Sequence, residues 1–124
     1  MEARRTRTTN EFNLAQLLER QSRSSTSYLE FLRYPAFSVG TYVLDAGVTD
    51  TQTTHSQDEV YFVVGGRARL MFEENGATRT IEASEGKIIF VAAHTRHSFY
   101  NITDPLHLLV FFAPAENPSN AAVS

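Results

Sequence analysis

The chain has 124 residues, 42% apolar and 20% charged, with a formal charge of −3. One soluble domain of ordinary size fits those numbers, and two do not. The absence of cysteine excludes disulfides, thiolate metal sites and a cysteine nucleophile. The first seven residues hold Arg4, Arg5 and Arg7 against Glu2, so the rest of the chain carries the acidic balance. An acidic body lacks the clustered basic face of a nucleic-acid binder. No apolar run is long enough to span a membrane, and no apolar signal segment follows Met1. The expectation is a cytoplasmic protein that binds neither nucleic acid nor membrane.

Residues 1–27 read as a polar tail and one short helix. Leu14, Leu17 and Leu18 make a helical stripe, with Asn10 or Asn13 available as a cap. Gln21 to Ser27 is polar and rich in serine, so it reads as a loop.

From Tyr28 the pattern changes to short β-branched and aromatic runs between turn signals. The expected strands are Tyr28–Tyr34, Ser38–Leu44, Glu59–Val64, Arg67–Phe72, Thr78–Glu82, Lys87–Val91, Arg96–Tyr100 and Leu106–Ala113. Asn75-Gly76 is the strongest hairpin signal. No helix interrupts residues 28–113, which excludes a parallel βαβ sheet and predicts an all-β sandwich or small barrel. Residues 114–124 read as a mobile tail.

A metal in this chain must be held by histidine, carboxylate, amide or hydroxyl. The four histidines are His55, His94, His97 and His107. His55 lies four residues before Glu59. On one continuous strand those residues would be about 13 Å apart, too far to share an ion. They meet only if Ser56-Gln57-Asp58 turns, and these are turn-forming residues. Glu59 then points inward with Tyr61 and Val63. With His97 the set is two imidazoles and one carboxylate, suited to non-haem Fe(II), with Zn, Mn or Ni also admissible. The same residues also read as a loop histidine, an exposed strand end and a hydrogen-bonded polar group. Spacing alone leaves both open.

At these residues the sequence resembles the cupin superfamily. Gly47, His55, Glu59 and Gly66 match its first motif, with Thr53 at the position of the first motif histidine. Gly86, His97 and Asn101 match the second motif, with Ala92 in place of proline and His94 in place of glycine. The match runs in register over residues 38–113 and looks closest to small single-domain, bacterial-type cupins. The resemblance implies a double-stranded β-helix, or jelly-roll barrel, over residues 28–113. It implies a divalent transition metal (Fe, Mn, Ni, Zn or Cu) at His55, Glu59 and His97, and often a homodimer. Gln52 and Thr53 are possible additional ligands. Tyr42, Tyr61, Phe99 and His107 are expected to line the pocket or support the ligands. His94 reads as a surface turn residue or a group at the pocket rim. No catalytic base is identifiable. The function expected is a metal-dependent enzyme on a small organic molecule, of dioxygenase, isomerase or lyase type. The alternative is a non-catalytic small-molecule-binding or accessory cupin with a degenerate metal site. Fold alone does not choose between them.

Overall fold

The structure is a computed structural model that describes residues 7–51 and 54–115. Its helix, α1, runs Leu14–Ser22. Asn13 caps it, the side chain accepting from the Gln16 N–H at 2.9 Å. Leu17 faces inward, as the apolar stripe requires. The helix extends past the expected loop boundary, because Gln21 is buried and fully used. Gln21 Nε2 donates to the carbonyls of Ser27 at 2.7 Å and Thr41 at 3.1 Å. The Thr41 hydroxyl donates back to Gln21 Oε1 at 2.6 Å. A buried amide with all its partners costs little, so a polar residue can dock the helix. Ahead of α1, the Arg7 guanidinium stacks over the Tyr34 ring at 4.3 Å.

Six strands follow: β1 Tyr28–Tyr34, β2 Phe37–Leu44, β3 Asp58–Glu74, β4 Ala77–Ser84, β5 Ile88–Val91 and β6 His97–Ala113. Eight were expected. Glu59–Val64 and Arg67–Phe72 are two halves of β3, and Arg96–Tyr100 and Leu106–Ala113 fall along β6. The turn signals between those halves mark bends, not reversals. Gly66 has φ +96°, and a Cβ there would collide with the Pro105 carbonyl oxygen. Glycine therefore serves a close approach of two backbones. Asn101, with φ 52°, occupies the left-handed region within β6. The register of β3 against β6 shifts repeatedly between Val63 and Arg69, which is the bend itself. The Asn75-Gly76 hairpin forms as expected, with φ 52° and 78°.

The strand order is β1-β2-β6-β3-β4, all antiparallel, with β5 also paired to β3. The first half of β3 pairs with β5 and with the second half of β6. The second half of β3 pairs with β4 and with the first half of β6. Both long strands thus pass from one layer to the other at the same level. This makes the all-β, double-stranded β-helix expected for residues 28–113. Tyr61, Val63, Leu70, Leu106 and Leu108 are wholly buried between the layers. Among the described residues no helix is long and apolar enough to cross a membrane. Residues 116–124, most of the expected mobile tail, lie outside the described residues.

Candidate functional site

Alternation along β3 sends Glu59, Tyr61 and Val63 into the barrel. His55 stands in the loop before β3, and its carbonyl accepts from the His94 N–H at 2.7 Å. That bond ties the loop before β3 to the loop before β6. His94 itself is exposed, with φ 66°. His97 opens β6 and turns inward. The structure therefore brings His55, Glu59 and His97 to one buried region, at 2%, 1% and 5% exposure.

The hydrogen bonds fix His97. Its Nδ1 lies 2.8 Å from the Thr95 carbonyl oxygen. A carbonyl only accepts, so Nδ1 carries a hydrogen and Nε2 is the inward nitrogen. Nε2 lies 3.1 Å from Glu59 Oε1 and 3.1 Å from the Tyr61 hydroxyl. Burial pushes the His97 pKa down, but the hydrogen bond and charge of Glu59 outweigh it and the net shift is upward. His55 moves the other way: burial lowers it, and the attraction of Glu59 does not restore it. His55 therefore favours its neutral form more than a free imidazole does, and His97 favours its charged form. The two imidazole centroids are 6.2 Å apart, and Phe112 packs against His55 at 5.1 Å. The second carboxylate oxygen, Glu59 Oε2, is buried without a hydrogen-bond partner among the described residues.

The surrounding wall holds a group that the sequence did not disclose. Asp50 accepts from the Tyr42 hydroxyl at 2.6 Å and from the Phe99 N–H at 2.8 Å. Burial, then the Asp50 charge, push the Tyr42 phenol far above its ordinary range, so it stays protonated and donates. Tyr42, Tyr61 and Phe99 are all core residues, and Tyr61 and Phe99 meet edge to face at 5.1 Å. Gln57 is also buried, its Nε2 donating to the Ala115 carbonyl at 3.3 Å.

His107 does not join them. Leu106 and Leu108 on either side are wholly buried inside, so His107 faces the opposite side of the sheet. It lines a groove of about 540 Å³ shared with Gln21 of α1 and Val43 of β2. Its expected place beside the ligands is corrected accordingly. Gln52 and Thr53 lie outside the described residues. Among the described residues, no three His, Asp or Glu side chains are grouped to hold a metal ion.

A family profile described as "Cupin domain" matches residues 40–112. The chain belongs to the cupin family. A second cupin-sized chain, an uncharacterized protein of Streptomyces coelicolor, is 42% identical over 106 residues, covering 86% of this cupin and 97% of the relative. A solved Thermus thermophilus structure superposes with a TM-score of 0.69 at 18% identity, covering 86% of this chain and 99% of the other. An RmlC-like cupin family protein from Methanocaldococcus jannaschii, a double-stranded β-helix, gives a TM-score of 0.64 at 18% identity, with 87% and 91% covered. At such identities the two structures establish fold alone. The cupin motif also explains His94. This residue stands at a motif glycine and keeps the left-handed backbone that glycine adopts without strain.

Proposed function

We propose that this cupin holds a divalent transition metal through His55, Glu59 and His97, and acts on a small organic molecule in a reaction of dioxygenase, isomerase or lyase type. The observation that carries this reading is Glu59. Its carboxylate is 1% exposed, and Oε2 has no hydrogen-bond partner among the described residues. Leaving half of a buried anion unsolvated is costly, and a cation is the natural remedy. Two imidazoles and one carboxylate suit Fe(II), and Mn, Ni, Zn or Cu are chemically related occupants. A cation would take the place of the direct contact between His97 Nε2 and Glu59 Oε1. When bound, such an ion supplies Lewis acidity toward a substrate oxygen.

The chain's own residues do the remaining work. The Thr95 carbonyl holds the His97 ring so that Nε2 faces inward. The Tyr61 hydroxyl, beside that nitrogen, is a donor able to orient a bound molecule. Asp50 braces the wall through Tyr42 and Phe99. Elemental analysis of untagged protein, with calorimetric titration of Fe(II), Mn, Ni, Zn and Cu, tests the reading. One ion per chain is expected, lost in His97→Ala with the fold retained by circular dichroism. No binding of any offered metal by the wild type overturns it.

The non-catalytic alternative is favoured by closure. All three side chains are at most 5% exposed, and His97 Nε2 already faces both Glu59 and Tyr61. Thr53 at the first motif position removes one imidazole as well. This alternative expects a barrel purified metal-free that still binds a small molecule.

A further inference from the structure

The groove beside His107 lies on a different part of the barrel from the buried cluster. At strand spacing, His107 stands roughly 17 Å along β6 from Phe112, the residue that packs against His55. The groove measures about 540 Å³, the size of a small-molecule site. Hydrogen bonds fix both of its walls. On one side the Ser27 carbonyl accepts from the Val43 N–H at 2.9 Å and from Gln21 Nε2 at 2.7 Å, which holds the segment after α1. On the other the Asp45 carbonyl accepts from the Val48 N–H at 3.2 Å, and the Gly47 N–H donates to the Ile102 carbonyl at 3.1 Å. Walls already in place lose little freedom when a ligand enters.

We propose that this groove, outside the barrel, binds a neutral polyhydroxylated molecule of monosaccharide size. Its donors and acceptors select that class. Ser22 Oγ donates to the Glu19 carbonyl at 2.7 Å, Ser24 Oγ to the Gln21 carbonyl at 2.9 Å and Thr26 Oγ1 to the Tyr28 carbonyl at 2.8 Å. Each of these hydroxyls lines the groove with its hydrogen already committed, so it offers a ligand a lone pair. The Asp45 carboxylate, also on the lining, is purely an acceptor. A wall so rich in acceptors calls for a ligand rich in donors. Ser25 and Thr49 add hydroxyls that both donate and accept, as the hydroxyls of a polyol do. Leu18, Val43 and Val48 supply apolar surface for its C–H face. An anion does not suit the groove. Among the described residues no lysine or arginine lines it, and the C-terminal end of α1 brings partial negative charge to it. An ammonium ion has donors only, so it gives the hydrogens of Ser25 and Thr49 nothing to bind. The groove and its ligand stand apart from any metal at Glu59.

Amide chemical shifts of the full chain, titrated with glucose, galactose, xylose and inositol, test this. Inorganic phosphate and ethanolamine serve as charged comparators. At least one neutral probe is expected to give shifts at Val43, Val48 and His107 that saturate by about 50 mM. Asp45→Ala removes the carboxylate, and Val48→Trp fills the groove. Both positions are exposed, so both variants keep the wild-type circular dichroism. Each is expected to weaken binding at least about 10-fold. The proposal is overturned when no neutral probe saturates, or when a charged comparator binds more tightly than every neutral probe. An affinity unchanged in either variant overturns it too. So do shifts centred on Tyr61 and Phe99, which would put the ligand inside the barrel.

Discussion

His97 and His55 lie in one buried cluster and shift in opposite directions, which gives the metal-free protein a particular pH dependence. Both start from an ordinary value of 6.5. The folded pKa of His97 is raised, so its contribution is fully present below about 6.5 and is lost as pH climbs through the raised value. The folded pKa of His55 is lowered, so the unfolded chain takes up that proton first. Its contribution is lost as pH falls from about 6.5 toward the lowered value. Together they place a stability maximum near pH 6.5. Urea unfolding from acid to alkaline pH is expected to show His97→Gln flattening the alkaline limb and His55→Gln the acid limb. An alkaline limb unchanged in His97→Gln would refute the Glu59–His97 assignment. Tyr42→Phe is expected to cost about 1–3 kcal/mol, because it strips a donor from buried Asp50. The same urea titration measures it. At this scale His55, Glu59 and His97 were singled out by two motifs in fixed register, since spacing alone left their role open. Asp50 escaped notice because its partners are 8 and 49 residues away, and nothing local marks them. His107 was readable after all: in Leu106-His107-Leu108, two buried leucines leave the middle residue facing out.

The elements test how turn residues are read. Gly65-Gly66 and Asn101 looked like strand ends, yet each lies inside a 17-residue strand. A left-handed residue can reverse a chain or bend it, and local sequence does not say which. The answer comes from Pro105, whose backbone approaches Gly66 from the facing strand. Gly66→Ala is therefore expected to destabilise by about 2 kcal/mol or more, through both the positive φ and the collision, as a lowered thermal midpoint. His94 offers the reverse experiment. Its φ of 66° suits glycine, so His94→Gly is expected to exceed His94→Ala in stability by about 1 kcal/mol in urea unfolding. Equal stabilities would mean that the loop before β6 relaxes out of this conformation. The helix end was misjudged for a different reason. Gln21 is polar by type, and only its three partners around Thr41 and Ser27 make it a buried docking residue.

For the whole molecule, strand alternation and two motifs in register were enough to reach the barrel, since those features are periodic or fixed in spacing. The pairing of strands far apart in the chain was not legible, because it depends on the bends. Metal binding at the Glu59 site would act on the stability of the entire barrel by mass action. At a free metal concentration about 100 times the Kd, the gain is about 2.7 kcal/mol. Thermal melts with and without the tightest-binding metal are expected to show that rise in the wild type and none in His97→Ala. A rise in both would place the metal elsewhere. The sheet order also has a temporal meaning. Among the described strands β6 comes last in the chain, yet it lies between β2 and β3 in the finished sheet. Until residues 97–113 leave the ribosome, the β1–β2 hairpin and the β3–β4–β5 group are separate pieces, each with an edge awaiting the same strand. Pairing of β6 with both β2 and β3 is what closes the barrel, so a nascent chain halted before His97 would leave both of those edges unpaired at once.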